Sequence, residues 1–214
     1  MNGIPMIATV LLFLMSCVST PTEVQQPKAQ KDLEGLSTAY FASGCFWCVE
    51  AIFQSVEGVE EAISGYSGGK IKNPTYRLVS SGATRHAEAV EVYYDPNTVS
   101  YETLLKVFFG SHDPTTPDQQ GPDRGPQYRS AIFYQTQEEK ELIDGYIAEI
   151  SSDYSKPITT EVAEFEVFYD AEDYHQEYEA RNPNQPYVRS VSIPRLNRFK
   201  AKFPELLKKE AQAH

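Results

Sequence analysis

The sequence predicts an α+β fold, a two-layer sandwich of helices packed on a sheet. Three observations predict it. Segments with the period-two alternation of strands interleave with segments of helical period. No glycine fingerprint of a doubly wound parallel sheet accompanies them. The 214 residues, 41% of them hydrophobic, show neither an internal repeat nor a second composition regime, so one core is expected.

The elements follow in order. Residues 37–43 read as a short strand ending at Gly44, and 45–56 as a helix with Phe46, Val49, Phe53 and Val56 on one stripe. Residues 59–66 read as extended, before a Gly68-Gly69 turn. Residues 88–94 alternate as a strand closed by Asp95-Pro96, and Ser100 caps a helix running to about Phe109. Residues 111–127 form a Pro-, Gly-, Asp- and Thr-rich loop, long enough to suggest a functional one. A strand over 128–134 and a charged amphipathic helix over 136–150 come next. Residues 164–169 read as a strand with Phe165, Val167 and Tyr169 on one face, and 171–181 as a short helix. After Pro183 the chain reads as irregular, with a last helix over 195–209.

The N-terminus reads as an address. Residues 4–15 are almost continuously apolar, too short a run for a comfortable span and suited to the core of a secretory signal. Leu14-Met15-Ser16-Cys17 resembles a bacterial lipobox, although no Lys or Arg precedes the apolar run. The expected organisation is a signal peptide over 1–16 and lipidation at Cys17, then a polar tether over 17–36. A catalytic domain over 37–191 and a C-terminal helical extension over 192–214 follow. On this reading the protein is a lipoprotein of the bacterial cell envelope, facing the periplasm or exterior. A signal cut elsewhere and an uncleaved anchor remain open.

The net charge of -11 disfavours nucleic acid as a partner. Three cysteines make a poor disulfide framework, and their positions matter more than their number. Cys45 and Cys48 form one Cys-Phe-Trp-Cys at a strand-to-helix junction. There, free N–H groups and the positive end of the dipole would favour a Cys45 thiolate. A structural zinc site would want four ligands, but there is one cysteine pair, and His86, His112, His175 and His214 are scattered. In thioredoxin-type oxidoreductases the tryptophan precedes the pair. An inert buried pair is disfavoured because two thiols on one helical turn invite oxidation. A catalytic thiol with its own resolving partner remains.

Other residues are ambiguous alone. Phe46 and Trp47 suit core packing, or an aromatic wall holding a small apolar group beside the thiol. Glu88 shares a strand face with Val90, Val92 and Tyr94. It either reaches solvent at the strand end or is a partly buried acid of raised pKa, and alternation cannot decide. Tyr76, Asp123 and Tyr128 lie in turn-like segments that need no chemistry to explain them.

The ordered set is more specific. Gly44-Cys45-Phe46-Trp47, Gly65-Tyr66-Ser67-Gly68-Gly69, Asn73-Pro74-Thr75-Tyr76, His86-Ala87-Glu88-Ala89-Val90, Asp123-Arg124-Gly125, Gln127-Tyr128-Arg129-Ser130 and Tyr174-His175-Gln176 occur in this order. Over residues 38–188 the chain resembles the A-type peptide methionine sulfoxide reductases. The resemblance implies a mixed sheet with a ferredoxin-like core and reduction of the S epimer of methionine sulfoxide, free or in proteins, as repair of oxidative damage. It implies Cys45 as nucleophile, Phe46 and Trp47 around the methyl group, and Glu88 as proton donor. Tyr76 and Tyr128 would bond the sulfoxide oxygen, and Asp123 would support the pocket's polar side. Many relatives have Gly at position 48 and a resolving cysteine near the C-terminus, whereas here no cysteine follows Cys48. Cys48 is therefore expected to resolve a Cys45 sulfenic acid, and a thioredoxin-like dithiol protein to reduce the disulfide. Neither metal nor other cofactor is implied, and a monomer is expected.

Overall fold

The computed structural model describes residues 33–212. In chain order the elements are β1 (Ser37–Ser43), α1 (Phe46–Gln54), β2 (Val59–Ser67), α2 (Tyr76–Ser80), β3 (Ala87–Tyr94) and α3 (Tyr101–Gly110). Then come β4 (Gln119–Gln120), β5 (Asp123–Arg124), β6 (Ser130–Tyr134), α4 (Gln137–Ile150), β7 (Glu161–Glu164) and β8 (Phe168–Asp170). Three helices finish the chain: α5 (Tyr178–Arg181), α6 (Ile193–Lys202) and α7 (Lys209–Gln212). Cys17 and the rest of the expected signal lie outside the described residues.

A six-stranded sheet runs β7-β6-β1-β3-β2-β8. Its inner strands β6-β1-β3-β2 are antiparallel throughout. With α1 linking β1 to β2, and α3 between β3 and β6, they form two split β-α-β units, the ferredoxin-like core. β7 adds parallel to β6 and β8 antiparallel to β2, so the sheet is mixed.

One face carries the main core. Phe46, Val49, Phe53 and Val56 of the α1 stripe are all buried, and Phe41 of β1 stacks on Phe53 at 4.9 Å and on Phe108 of α3 at 5.3 Å. Ser100 caps α3 by accepting from Thr103 N, and Thr136 caps α4 by accepting from Glu139 N. The opposite face is lined by the small Ala42, Ala87, Ala89 and Ala131, with Tyr40 and Phe133.

The expected strand over 164–169 is a correction. Glu161–Glu164 pairs with β6 at one edge, and Phe168–Asp170 pairs with β2 at the other. Only residues 165–167 join the two edges. Four residue steps reach about 14 Å, whereas five inter-strand gaps of a flat sheet need about 24 Å. The sheet must therefore curl until its edges nearly meet. The link closes the seam: Phe165 N donates to Tyr134 O at 2.8 Å, Ser67 Oγ donates to Val167 O at 2.8 Å, and Phe165 stacks on Tyr40 at 3.8 Å.

The helix expected over 171–181 is also corrected. A 3-10 turn at Asp173–His175 and α5 are separated by Glu177 at φ +52°. The interruption has a cause. The Gln176 amide pairs with both backbone groups of Ser64, at 2.9 Å each, and Glu50 accepts from Glu177 N at 2.5 Å. The expected last helix over 195–209 is α6 alone. It starts earlier, after a π-helical turn at Val188–Ser192, and stops at Phe203, because Pro204 disfavours helical geometry before it. The following chain is tied to the end of α1 by Glu57 N→Leu206 O at 2.8 Å and Lys208 N→Ser55 O at 3.0 Å. The loop over 111–127 carries the β4–β5 hairpin, and Tyr128 ends a 3-10 turn rather than starting β6.

Candidate active site

Gly44 makes the turn from β1 into α1. Its φ is +92°, and a Cβ there would stand 2.7 Å from Gln120 Cβ, so both the conformation and the space require glycine. The turn sets Cys45 as the residue capping α1, with Cys48 on the same turn, and the two free thiols are buried and hydrogen-bonded to each other.

The electrostatics depart from the expectation of a Cys45 thiolate. The first helical N–H, that of Phe46, donates to Glu88 Oε2 at 3.1 Å, so the acceptor at the helix start is the carboxyl and not the Cys45 sulfur. Burial drives the Cys45 thiol far up, its bond to Cys48 and the Glu88 charge add to this, and the Trp47 N–H only partly opposes it. Cys48 is lowered to about 6: the Cys45 thiol donates to it, and against the cost of burial the Arg195 charge favours its charged form, while the Tyr187 and Ser192 hydroxyls beside it donate their hydrogens to Asp123 and Glu179. These causes favour the negative charge of the pair on Cys48 rather than on Cys45.

Glu88 does not reach solvent; it is 1% exposed. Burial pushes its carboxyl up to about 8, against the Phe46 N–H and with help from the Asp123 and Cys48 charges. At neutral pH it is an acid. Since Oε2 accepts the Phe46 N–H, the proton sits on Oε1, which is buried and has no hydrogen-bond partner. A buried donor without an acceptor is a group poised for something that arrives.

Aromatic rings wall the site. Phe46 packs against Tyr66, Tyr76 and His175, with centroids at 5.9, 6.3 and 5.0 Å. Trp47 lies flat on Tyr178 at 3.7 Å and donates its indole N–H to His175 Nδ1 at 3.1 Å. Burial lowers the His175 pKa, so the ring accepts that bond as a neutral imidazole. Glu172 fixes Tyr66 and Tyr76, accepting from Tyr66 OH at 2.8 Å and from Tyr76 N at 2.9 Å.

The polar side comes from the β4–β5 hairpin and the turn after it. Asp123 accepts from Tyr187 OH at 2.5 Å, and that hydroxyl stands 4.0 Å from Cys48 Sγ. Tyr76 and Tyr128 face the same charges: burial raises both hydroxyls, Tyr76 to about 12, and Glu88, Cys45 and Asp123 push each further.

The structure brings Cys45, Phe46, Trp47, Cys48, Tyr76, Glu88, Asp123 and Tyr128 into one site. Sequence reasoning passed over Glu172, Tyr178, Tyr187, Ser192 and Arg195. The only usable signal was Tyr187, in the segment searched for a C-terminal cysteine. Among the described residues no group of three His, Cys, Asp or Glu side chains is placed to hold a metal.

Comparisons with known proteins agree with this geometry. A family model described as peptide methionine sulfoxide reductase matches residues 37–207. The chain is 47% identical over 178 residues to peptide methionine sulfoxide reductase MsrA 1 of Rhodopirellula baltica, covering 83% of this chain and 93% of that protein. It is 47% identical over 170 residues to the MsrA of Thermus thermophilus, covering 79% and 97%. Among solved structures, methionine sulfoxide reductase A of Corynebacterium diphtheriae superposes with a TM-score of 0.65 at 37% identity, covering 70% of this chain and 76% of that one. Mxr1 of Saccharomyces cerevisiae in reduced form gives a TM-score of 0.65 at 31% identity, covering 70% and 87%. A curled α+β sheet that sets a thiol at the start of a helix beside a buried acid, and a family match over almost all the described residues, lead to one conclusion: the chain belongs to the A-type peptide methionine sulfoxide reductase family.

Proposed function

We propose that this chain reduces the S epimer of methionine sulfoxide, free or in proteins, with Cys45 as nucleophile, Glu88 as proton donor and Cys48 as resolving thiol. The observation that carries the reading is the buried Glu88 carboxyl, one oxygen held by the N–H next to Cys45 and the other without a partner.

Sulfoxide oxygen is a poor leaving group until protonated or strongly hydrogen-bonded. Glu88 gives it a proton while the Tyr76 and Tyr128 hydroxyls bond it. The Cys45 sulfur attacks the substrate sulfur, and its own proton replaces the one Glu88 gave. Oxygen passes to Cys45 as a sulfenic acid, and methionine leaves with the electron pair. Cys48 thiolate then attacks Cys45 Sγ. The S–S bond forms as the S–O bond breaks, and hydroxide leaves with a proton as water. A thioredoxin-like dithiol supplies the two electrons that reopen the disulfide.

The epimer choice follows from two unlike walls. Phe46 and Trp47 take the methyl group, and Glu88, Tyr76, Tyr128 and Asp123 take the oxygen. A protein-repair role, a monomeric state and independence of metal or other cofactor complete the proposal. An assay on separated diastereomers with dithiothreitol tests it: the S epimer is reduced and the R epimer is not. Activity on the R epimer alone overturns the reading.

Lipid attachment at Cys17 and location on a bacterial envelope membrane are proposed from the sequence of residues 1–36. In cell fractions the intact chain follows the membrane and Cys17→Ala does not. Equal distribution of the two rejects the anchor.

A further inference from the structure

Arg195 of α6 is buried, 6% exposed, close to the redox pair. A guanidinium cannot shed its charge at working pH, so burying one is costly unless its surroundings receive it. Its Nε donates to the Ser111 carbonyl oxygen at 2.9 Å, and its Nη2 donates to Ser43 Oγ at 3.1 Å. Its Nη1 passes 3.5 Å from where a side chain on Gly44 would start. The side chain therefore lies across the Ser43-Gly44 turn that delivers Cys45 to the start of α1. Neither hydrogen-bonding partner is a carboxylate, so the charge is left to act on its neighbours.

Those neighbours are defined. Cys48 is met by the Cys45 thiol from the start of α1, by the protonated Glu88 carboxyl from β3, and by Tyr187 OH, 4.0 Å away and bonded to Asp123 of β5. The Ser192 hydroxyl faces it from the π-helical turn and is itself bonded to the Glu179 carboxyl of α5. Of these groups and Arg195, only the arginine is a cation. Its charge favours the anionic forms of Cys48 and Asp123, and it adds to the burial that keeps His112 neutral between Phe108 O and Ser130 Oγ.

We propose that Arg195 is a positioning residue for the resolving step: locked across the Ser43-Gly44 turn, it sets a buried cation beside the two thiols and so supports the attack of Cys48 on oxidised Cys45. The inference rests on the proposed role of Cys48. It gives the helix after residue 191 a part in the chemistry although that helix offers no thiol.

The test is one reductant-free turnover with methionine sulfoxide, quenched in time with alkylating agent between about pH 5 and 9. Methionine formed and Cys45–Cys48 disulfide formed are followed separately. Arg195→Gln and Arg195→Met slow disulfide formation about tenfold near neutrality and raise its pH midpoint by about one unit. Methionine formation slows much less. Arg195→Lys, which keeps the charge, returns the midpoint towards wild type. Gln, whose Nε2 takes the place of Arg195 Nε at the Ser111 carbonyl, provides a neutral hydrogen-bonding variant if Met does not fold. An unshifted midpoint in the neutral variants, or a Lys variant no closer to wild type than Gln, overturns the role of Arg195. Absence of the disulfide in the wild type instead overturns the role of Cys48 on which it rests.

Discussion

Glu88→Gln lowers the rate of methionine formation in a single turnover by about 100- to 10,000-fold, the range spanned by loss of a positioned general acid. The amide keeps the size and still accepts the Phe46 N–H through its oxygen, so Cys45 stays in place while the proton is gone. Oxidation and reduction of the Cys45–Cys48 pair by a dithiol is spared. That split separates a sulfoxide reductase from a thiol-disulfide exchange protein, which has no use for Glu88; equal activity of variant and wild type on the sulfoxide would sink the acid role. The wild-type rate also falls as pH rises through about 8, where Glu88 loses its proton.

Stability falls over the same range. The folded-state pKa of Glu88 lies above the ordinary value of 4.5, so the folded chain holds this proton more tightly than the unfolded one does. The contribution is complete below about pH 4.5 and is lost as pH rises through about 8. Buried Glu50, raised to about 7, loses its contribution within the same window. Thermal melts of Glu88→Gln and wild type therefore nearly coincide at pH 4 and diverge by pH 8, with the variant the more stable. The acid is kept at a cost in stability, as buried catalytic groups often are.

Cys48→Ser forms about one methionine per enzyme and then stalls. With thioredoxin as reductant, steady turnover falls by about two orders of magnitude, because a protein dithiol is left to meet a sulfenic acid enclosed by the aromatic wall. Dithiothreitol, being small, restores part of the rate. Mass spectrometry of the stalled variant finds oxygen on Cys45. Undiminished turnover with thioredoxin would remove Cys48 from the resolving step and require another route to reduce Cys45.

The fold was legible where one element meets one partner. The α1 stripe, the alternation of β3 and the Ser100 cap are local patterns with local causes, and they stand where the sequence placed them. Residues 164–169 were not legible. Their alternation is real, but it serves a link between the two edges of a curled sheet, and closure of a sheet is invisible from one strand. The helix broken at Glu177 depends on Gln176 reaching Ser64, 112 residues earlier in the chain.

The site divides in the same way. Cys45, Cys48 and Glu88 were readable because their residue types and motif context are specific. Which sulfur carries the charge was not. That depends on Glu88 taking the first helical N–H, and on Arg195 arriving from a segment far along the chain. Tyr187 lies in the segment where a second thiol was sought, and the structure has there a hydroxyl 4.0 Å from the Cys48 sulfur.

The central claim is that oxygen taken from the substrate by Cys45 is cleared by Cys48. The most direct measurement is the mass of the Cys45–Cys48 peptide after one reductant-free turnover on methionine S-sulfoxide, with remaining thiols alkylated. The account predicts one methionine per chain and a peptide that has lost two hydrogens and takes no alkyl label. A Cys48 that is still alkylated, beside a Cys45 that retains oxygen, would contradict it.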